Sequence, residues 1–124
     1  MRSGTVRILS LVLLGALLGT ASFAAMHFRL ERSAPEAGAT VRAPAEIRLW
    51  FSEEPQAGST SIRVVDAAGE LAVDGAVEPD PDDAKIQVLP TGGPLDPGEY
   101  RIVWRAMAAD GHIVRDEFTF TVEP

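Results

Sequence analysis

From Met26 onward, apolar residues recur at every second position between turn signals, and no long window carries a helical period. Phe28 and Leu30, and then Ser33, alternate with Arg29, Glu31 and Arg32, which predicts a short first strand turned at Ala34-Pro35-Glu36-Ala37-Gly38. After a break at Pro44, Ile47, Leu49 and Phe51 point one way and Arg48, Trp50 and Ser52 the other. Ile62 and Val64 mark a strand over Ser61 to Asp66, and the turn Ala67-Ala68-Gly69 leads to a short return strand near Glu70 to Val73. Lys85 to Leu89 is another strand, followed by an extended turn from Pro90 to Gly98. The clearest alternation runs from Glu99 to Met107, with Tyr100, Ile102, Trp104 and Ala106 on one face. The last strand, Ile113 to Val122, places Val114, Asp116, Phe118, Phe120 and Val122 together. About seven short strands at this spacing predict an all-β sandwich or Greek-key barrel.

Two segments fall outside the alternation. Glu78-Pro79-Asp80-Pro81-Asp82-Asp83 is acidic and broken by proline; it lacks the ligand spacing of a calcium loop and reads as a solvated loop. At the other extreme, Arg2 and Arg7 precede an almost wholly apolar run from Ile8 to Leu18 and a small-residue stretch from Gly19 to Ala25. This order predicts a secretory signal helix, with residues 1–26 the signal peptide, cleavage near 24–26, and residues 27–124 the exported domain. An uncleaved anchor from Arg7 to Ala25, just able to reach across a thin bilayer, is the alternative. No further apolar span follows Val122, so no membrane span is expected once the signal is removed.

Composition narrows the chemistry. At 124 residues the chain has room for one domain. It contains no cysteine, which excludes disulfides, thiolate metal sites and cysteine nucleophiles, so any metal must be held by His, carboxylate, Met or backbone groups. Eighteen acidic residues face 11 basic ones, and without Arg2 and Arg7 the exported domain carries a formal charge of −9. Nucleic acid is therefore not an expected partner.

Only two histidines exist, His27 beside the predicted cleavage region and His112 in the turn Ala109-Asp110-Gly111-His112 between the last two strands. A histidine at a chain start can add its free α-amine to its imidazole. Asp110 and His112 offer an oxygen and a nitrogen two residues apart, with Gly111 permitting the tight bend. Imidazole, amine and carboxylate suit Cu(II) among the common divalent metals. Asp-Gly is also a favoured hairpin turn, so the same residues can be read without a metal. Trp104 is expected in the core, while the outward register of Trp50 leaves its role open. Arg101 and Arg105 are expected to be solvated, with one of them free to orient Glu53 or Asp110.

Taken in order, the segments from His27 to Gly38, Pro44 to Glu53, Pro97 to Arg105, Ala108 to His112 and Phe118 to Val122 resemble the CopC family of exported copper-binding proteins linked to copper resistance. The resemblance spans the whole exported domain. It implies an immunoglobulin-like Greek-key barrel that binds one Cu(II) through His27, Asp110 and His112, with Glu53 a neighbour of the site. It also implies copper carriage, buffering or resistance without turnover, in the periplasm or at the cell-envelope exterior, with a membrane copper transporter as a candidate partner. Some members add a Met-rich Cu(I) site. Here Ser59 to Val77 holds neither Met nor His, and the only methionines are Met1, Met26 and Met107, so no such site is expected.

The start of the exported chain decides the first ligand. Cleavage after Met26 makes His27 the first residue, able to chelate through amine and imidazole. Cleavage after Ala24 suits the small-residue rule and makes His27 third, where amine, amides and imidazole could enclose Cu(II) without Asp110 or His112. Two other functions fit parts of the pattern: a copper-dependent oxidative enzyme of the histidine-brace type, and an immunoglobulin-like interaction module without metal.

Overall fold

The computed structural model describes residues 27–124, so the predicted signal helix lies outside the described residues. Eight strands follow one another: β1 (Leu30–Ala34), β2 (Thr40–Val41), β3 (Glu46–Phe51), β4 (Ser61–Val65), β5 (Glu78–Pro79), β6 (Ile86–Pro90), β7 (Gly98–Met107) and β8 (Ile113–Val122). They form two four-stranded sheets, ordered β1-β3-β6-β5 and β2-β8-β7-β4. All pairings are antiparallel except β2 with β8. This is an immunoglobulin-like β-sandwich, as the alternation predicts, and among the described residues no helix is long and apolar enough to cross a membrane.

The core forms where the inner faces meet. β3 contributes Ile47, Leu49 and Phe51, β4 contributes Ile62 and Val64, β7 contributes Tyr100, Ile102, Trp104 and Ala106, and β8 contributes Phe120 and Val122, all buried. Burial of each large apolar side chain is worth about 1.5–3 kcal/mol, which is what commits the alternating strands to one register. The Tyr100 hydroxyl donates to the Asp96 carbonyl at 2.6 Å, fastening the start of β7 to the turn before it. Burial, with the charges of Asp96 and Asp66, pushes that hydroxyl's pKa up, so it remains a donor.

Two local readings are corrected and a third is explained. Glu78 and Pro79, expected in a solvated loop, are exposed but form a two-residue edge strand against Val88 and Gln87. The return strand near Glu70 to Val73 reduces to one bridge between Val65 and Leu71, made by the Ala72 N–H to the Val64 carbonyl at 2.7 Å and the Asp66 N–H to the Glu70 carbonyl at 2.9 Å. In β1 the register slips by one residue between Leu30 and Arg32, which explains why the inward positions run Phe28, Leu30 and then Ser33. Ser33 is buried because its hydroxyl donates to the Pro35 carbonyl at 2.8 Å.

Trp50, on the outer face of β3, contacts two guanidiniums, Arg32 at 4.4 Å and Arg48 at 5.5 Å from its ring centre. Arg48 also pairs with Asp80, linking β3 to the loop after β5. The backbone N–H of Asp82 and then the Arg48 guanidinium hold the Asp80 carboxyl below its usual range. Because the folded-state value is depressed, this stabilisation is present above the ordinary carboxylate pKa and is lost as pH falls through the folded one. Asp80→Asn should therefore lower stability at pH 7 and flatten its decline below about pH 4. Denaturant unfolding across that range checks this, and identical slopes for the two proteins would refute it.

Candidate metal centre

The turn between β7 and β8 is built from backbone bonds. The Ala108 N–H donates to the His112 carbonyl at 2.8 Å, and the Gly111 N–H donates to the Ala108 carbonyl at 2.9 Å. Gly111 has φ of +90°, a conformation that side chains other than hydrogen resist. Gln56 fastens this turn from outside: its backbone N–H reaches the Met107 carbonyl at 2.8 Å and its side-chain amide reaches the Ala108 carbonyl at 3.0 Å. The Ser59 hydroxyl accepts the Met107 N–H at 3.1 Å.

Within the turn, Asp110 Oδ1 accepts the His112 backbone N–H at 3.0 Å, and its Oδ2 lies 2.7 Å from His112 Nδ1. A proton on Nδ1 satisfies that contact and leaves the Nε2 lone pair free. The His112 backbone N–H, and next its ring, hold the Asp110 carboxyl below its ordinary pKa. Asp110 is thus an anion near neutral pH, and both side chains are well exposed.

His27 reaches the same end of the sandwich because of Phe28 and Ser52. Phe28 is buried and stacks on Phe51 at 5.0 Å, and Phe51 meets Trp104 edge-on at 5.3 Å. The Ser52 hydroxyl accepts the Arg29 N–H at 2.9 Å and donates to the His27 carbonyl at 3.2 Å, while the Ser52 N–H donates to the Arg29 carbonyl at 2.9 Å. Glu53 follows directly, half-buried.

His27, Glu53, Asp110 and His112 all line one open hollow of about 580 Å³, with Phe28, Ala108 and Val114 among its apolar walls. Among the described residues, no three His, Asp or Glu side chains are gathered closely enough to hold an ion as they stand. Arg101 does not orient the site; it pairs with Glu117 at 3.8 Å on the outer sheet face. Arg105 shares that face and stands opposite Arg115. Trp104 is core, as expected. The supporting roles of Ser52, Gln56 and Ser59 were not foreseen. Their signal is weak, being small polar residues next to strand ends.

A sandwich with a donor-lined hollow at one end defines the class. The CopC domain model matches residues 30–123. The chain belongs to the CopC family. It is 32% identical over 116 residues to copper resistance protein C of Escherichia coli, covering 88% of this chain and 91% of that one. Its identity to copper resistance protein C of Pseudomonas syringae pv. tomato is also 32%, over 82% of this chain and 85% of that relative. Among solved structures, CopC from Methylosinus trichosporium OB3b superposes with a TM-score of 0.72 at 30% identity, covering 79% of this chain and 95% of that one. PcoC of Escherichia coli, described as a methionine-rich copper resistance protein, gives 0.70 at 32% identity over 79% of this chain and all of the other.

The Ser52 hydroxyl holds the chain start against β3 through two bonds. Ser52→Ala, which removes both bonds, should cost about 1–2 kcal/mol of stability. It should also raise amide hydrogen exchange at Arg29, whose N–H loses its acceptor, while leaving exchange at Ala108, bonded to the His112 carbonyl on the opposite wall of the hollow, unchanged. Unaltered protection at Arg29 would show that Ser52 does not hold this segment.

Proposed function

We propose that this chain is an exported copper carrier or buffer that binds one Cu(II) in the hollow, through His27, Asp110 and His112, with Glu53 beside the ion. The observation that supports this most is topological. His27 and the Asp110-Gly111-His112 turn stand at opposite ends of the exported domain's sequence, yet line one hollow. The donor set is nitrogen and oxygen only, as suits Cu(II), and the names of the relatives point to copper. Since the ligating side chains are exposed, rotation of their rings and carboxylates can close the set without moving the strands.

On this reading residues 1–26 are a signal peptide whose removal frees the His27 amine as a further donor. Soft Cu(I) has little to bind, because Met107 is the one methionine within 27–124. The function needs no turnover, and copper passes onward to another protein.

The test joins mass spectrometry of the exported protein to Cu(II) titration of that same species. A chain beginning at His27 should take up one equivalent, and His112→Ala should weaken binding by ~100-fold or more, beyond what loss of an outer-shell partner costs. Binding should also weaken as the pH falls, because protons compete for the donors. A mature chain beginning at Ala25, with affinity indifferent to His112→Ala, would overturn the assignment.

A further inference from the structure

The outer face of the β4-β7-β8 layer gathers charge of the wrong sign for this protein. Arg63, Arg101, Arg105 and Arg115 all point outward and are exposed, in a domain whose formal charge is −9. The register places Ser61, Arg105 and Arg115 in one row across the three strands, and Arg63, Val103 and Glu117 in the next. Arg105 therefore stands directly opposite Arg115. Like charges at such positions destabilise a sheet, and nothing in the fold requires arginine at either. Two carboxylates share the face, Glu117 and, at its far end, Glu99. Glu117 pairs with Arg101, while among the described residues Arg63, Arg105 and Arg115 make no ion pair.

Apolar side chains lie among the arginines. Val103 and Met107 are half-buried on β7, and Met107 faces Ile113, which is 47% exposed and also forms part of the wall of the hollow. The basic face thus runs to the lip of the metal centre. Guanidinium forks match carboxylates in two-point contact, and apolar residues set among arginines are the make-up of a protein interface. An anionic bilayer fits less well, because a molecule with this net charge is repelled by an extended negative surface, whereas a compact acidic patch meets only the basic face.

We propose that the outer face of β4, β7 and β8 is a docking surface for an acidic protein partner, whose seat at Ile113 brings it to the metal hollow. The proposal rests on the copper-carrier reading for its purpose, but its test does not use copper. The probe is a fluorescent deca-glutamate peptide, followed by polarisation on the metal-free exported chain. Binding is expected at low salt and should weaken at least ~10-fold between about 20 and 150 mM salt. Arg115→Glu should weaken it at least ~10-fold as well. That variant also replaces a like-charge pair with an opposite-charge one across from Arg105, so its melting temperature should be no lower than that of the parent. Arg32→Glu, which makes the same charge change on β1 of the other sheet beside Trp50, should leave peptide binding within about twofold. Cu(II) uptake by Arg115→Glu is read separately, so failure of the metal assignment is distinguishable from failure of the docking face. Three results would each overturn the proposal: equal peptide binding by the parent and Arg115→Glu; binding to vesicles with 30% phosphatidylglycerol but not to the peptide; or salt-sensitive self-association of the free chain, which would give the face to a second copy.

Discussion

The contact of Phe51 with Phe28 on one side and Trp104 on the other is the interaction on which this arrangement depends. Phe51 belongs to one sheet and Trp104 to the other, so the pair ties the layers together at the end where the hollow lies. Phe28 precedes the first strand and has no ladder to hold it. Ordering residues 27–29 costs roughly 3–6 kcal/mol of backbone entropy at 1–2 kcal/mol each. Burial of Phe28 returns about 2–3 kcal/mol, its stacking about 1, and the bonds through Ser52 about 1 each. The two sides nearly balance. The chain start is therefore held at the hollow by these few contacts and by little else.

The other half of the site is held differently. The turn from Ala108 to His112 closes the longest pairing in the molecule, ten residues on each of β7 and β8, and Gln56 and Ser59 brace its base. One wall of the hollow is thus rigid backbone, and the opposite wall is a short segment pinned by an aromatic stack and one hydroxyl. On the proposed reading, an exposed ion site on such a frame would take up and release its cargo through side-chain rotation alone, which suits carriage better than permanent retention. The charge distribution is consistent with this: carboxylates face the hollow, while four of the arginines are spread on the outer face beside it.

How much of this was legible depended on whether one face of each strand was wet. In β3, β7 and β8 the inner face is buried and the outer one hydrated, so alternation located Ile47 to Phe51, Tyr100 to Ala106 and Phe118 to Val122 correctly. β2 and β5 are two residues long and have no period to detect. The bulge before Arg32 was written in the broken spacing of Phe28, Leu30 and Ser33, but a phase slip means little until the partner strand is known. His27, Asp110 and His112 were visible because their chemistry is rare in this chain. Ser52 and Gln56 were not, because they act on backbone groups of segments distant in sequence, and only the fold brings those segments together.

Asp110 poses the remaining question of mechanism, since both its oxygens already contact His112. A carboxylate has about four lone-pair directions, and these two contacts use two of them. On the proposed reading an ion could therefore approach Asp110 without breaking either bond, and His112, with Nδ1 as donor to Asp110, would offer Nε2 to the ion. The same bonds keep Asp110 ionised, so no proton need leave it at neutral pH when the ion arrives. A site in which one carboxylate both orients its neighbour and meets the metal needs only His27 to swing in from the opposite wall. On that reading the fastening of the chain start by Phe28 and Ser52, more than the turn itself, would govern whether the donors converge.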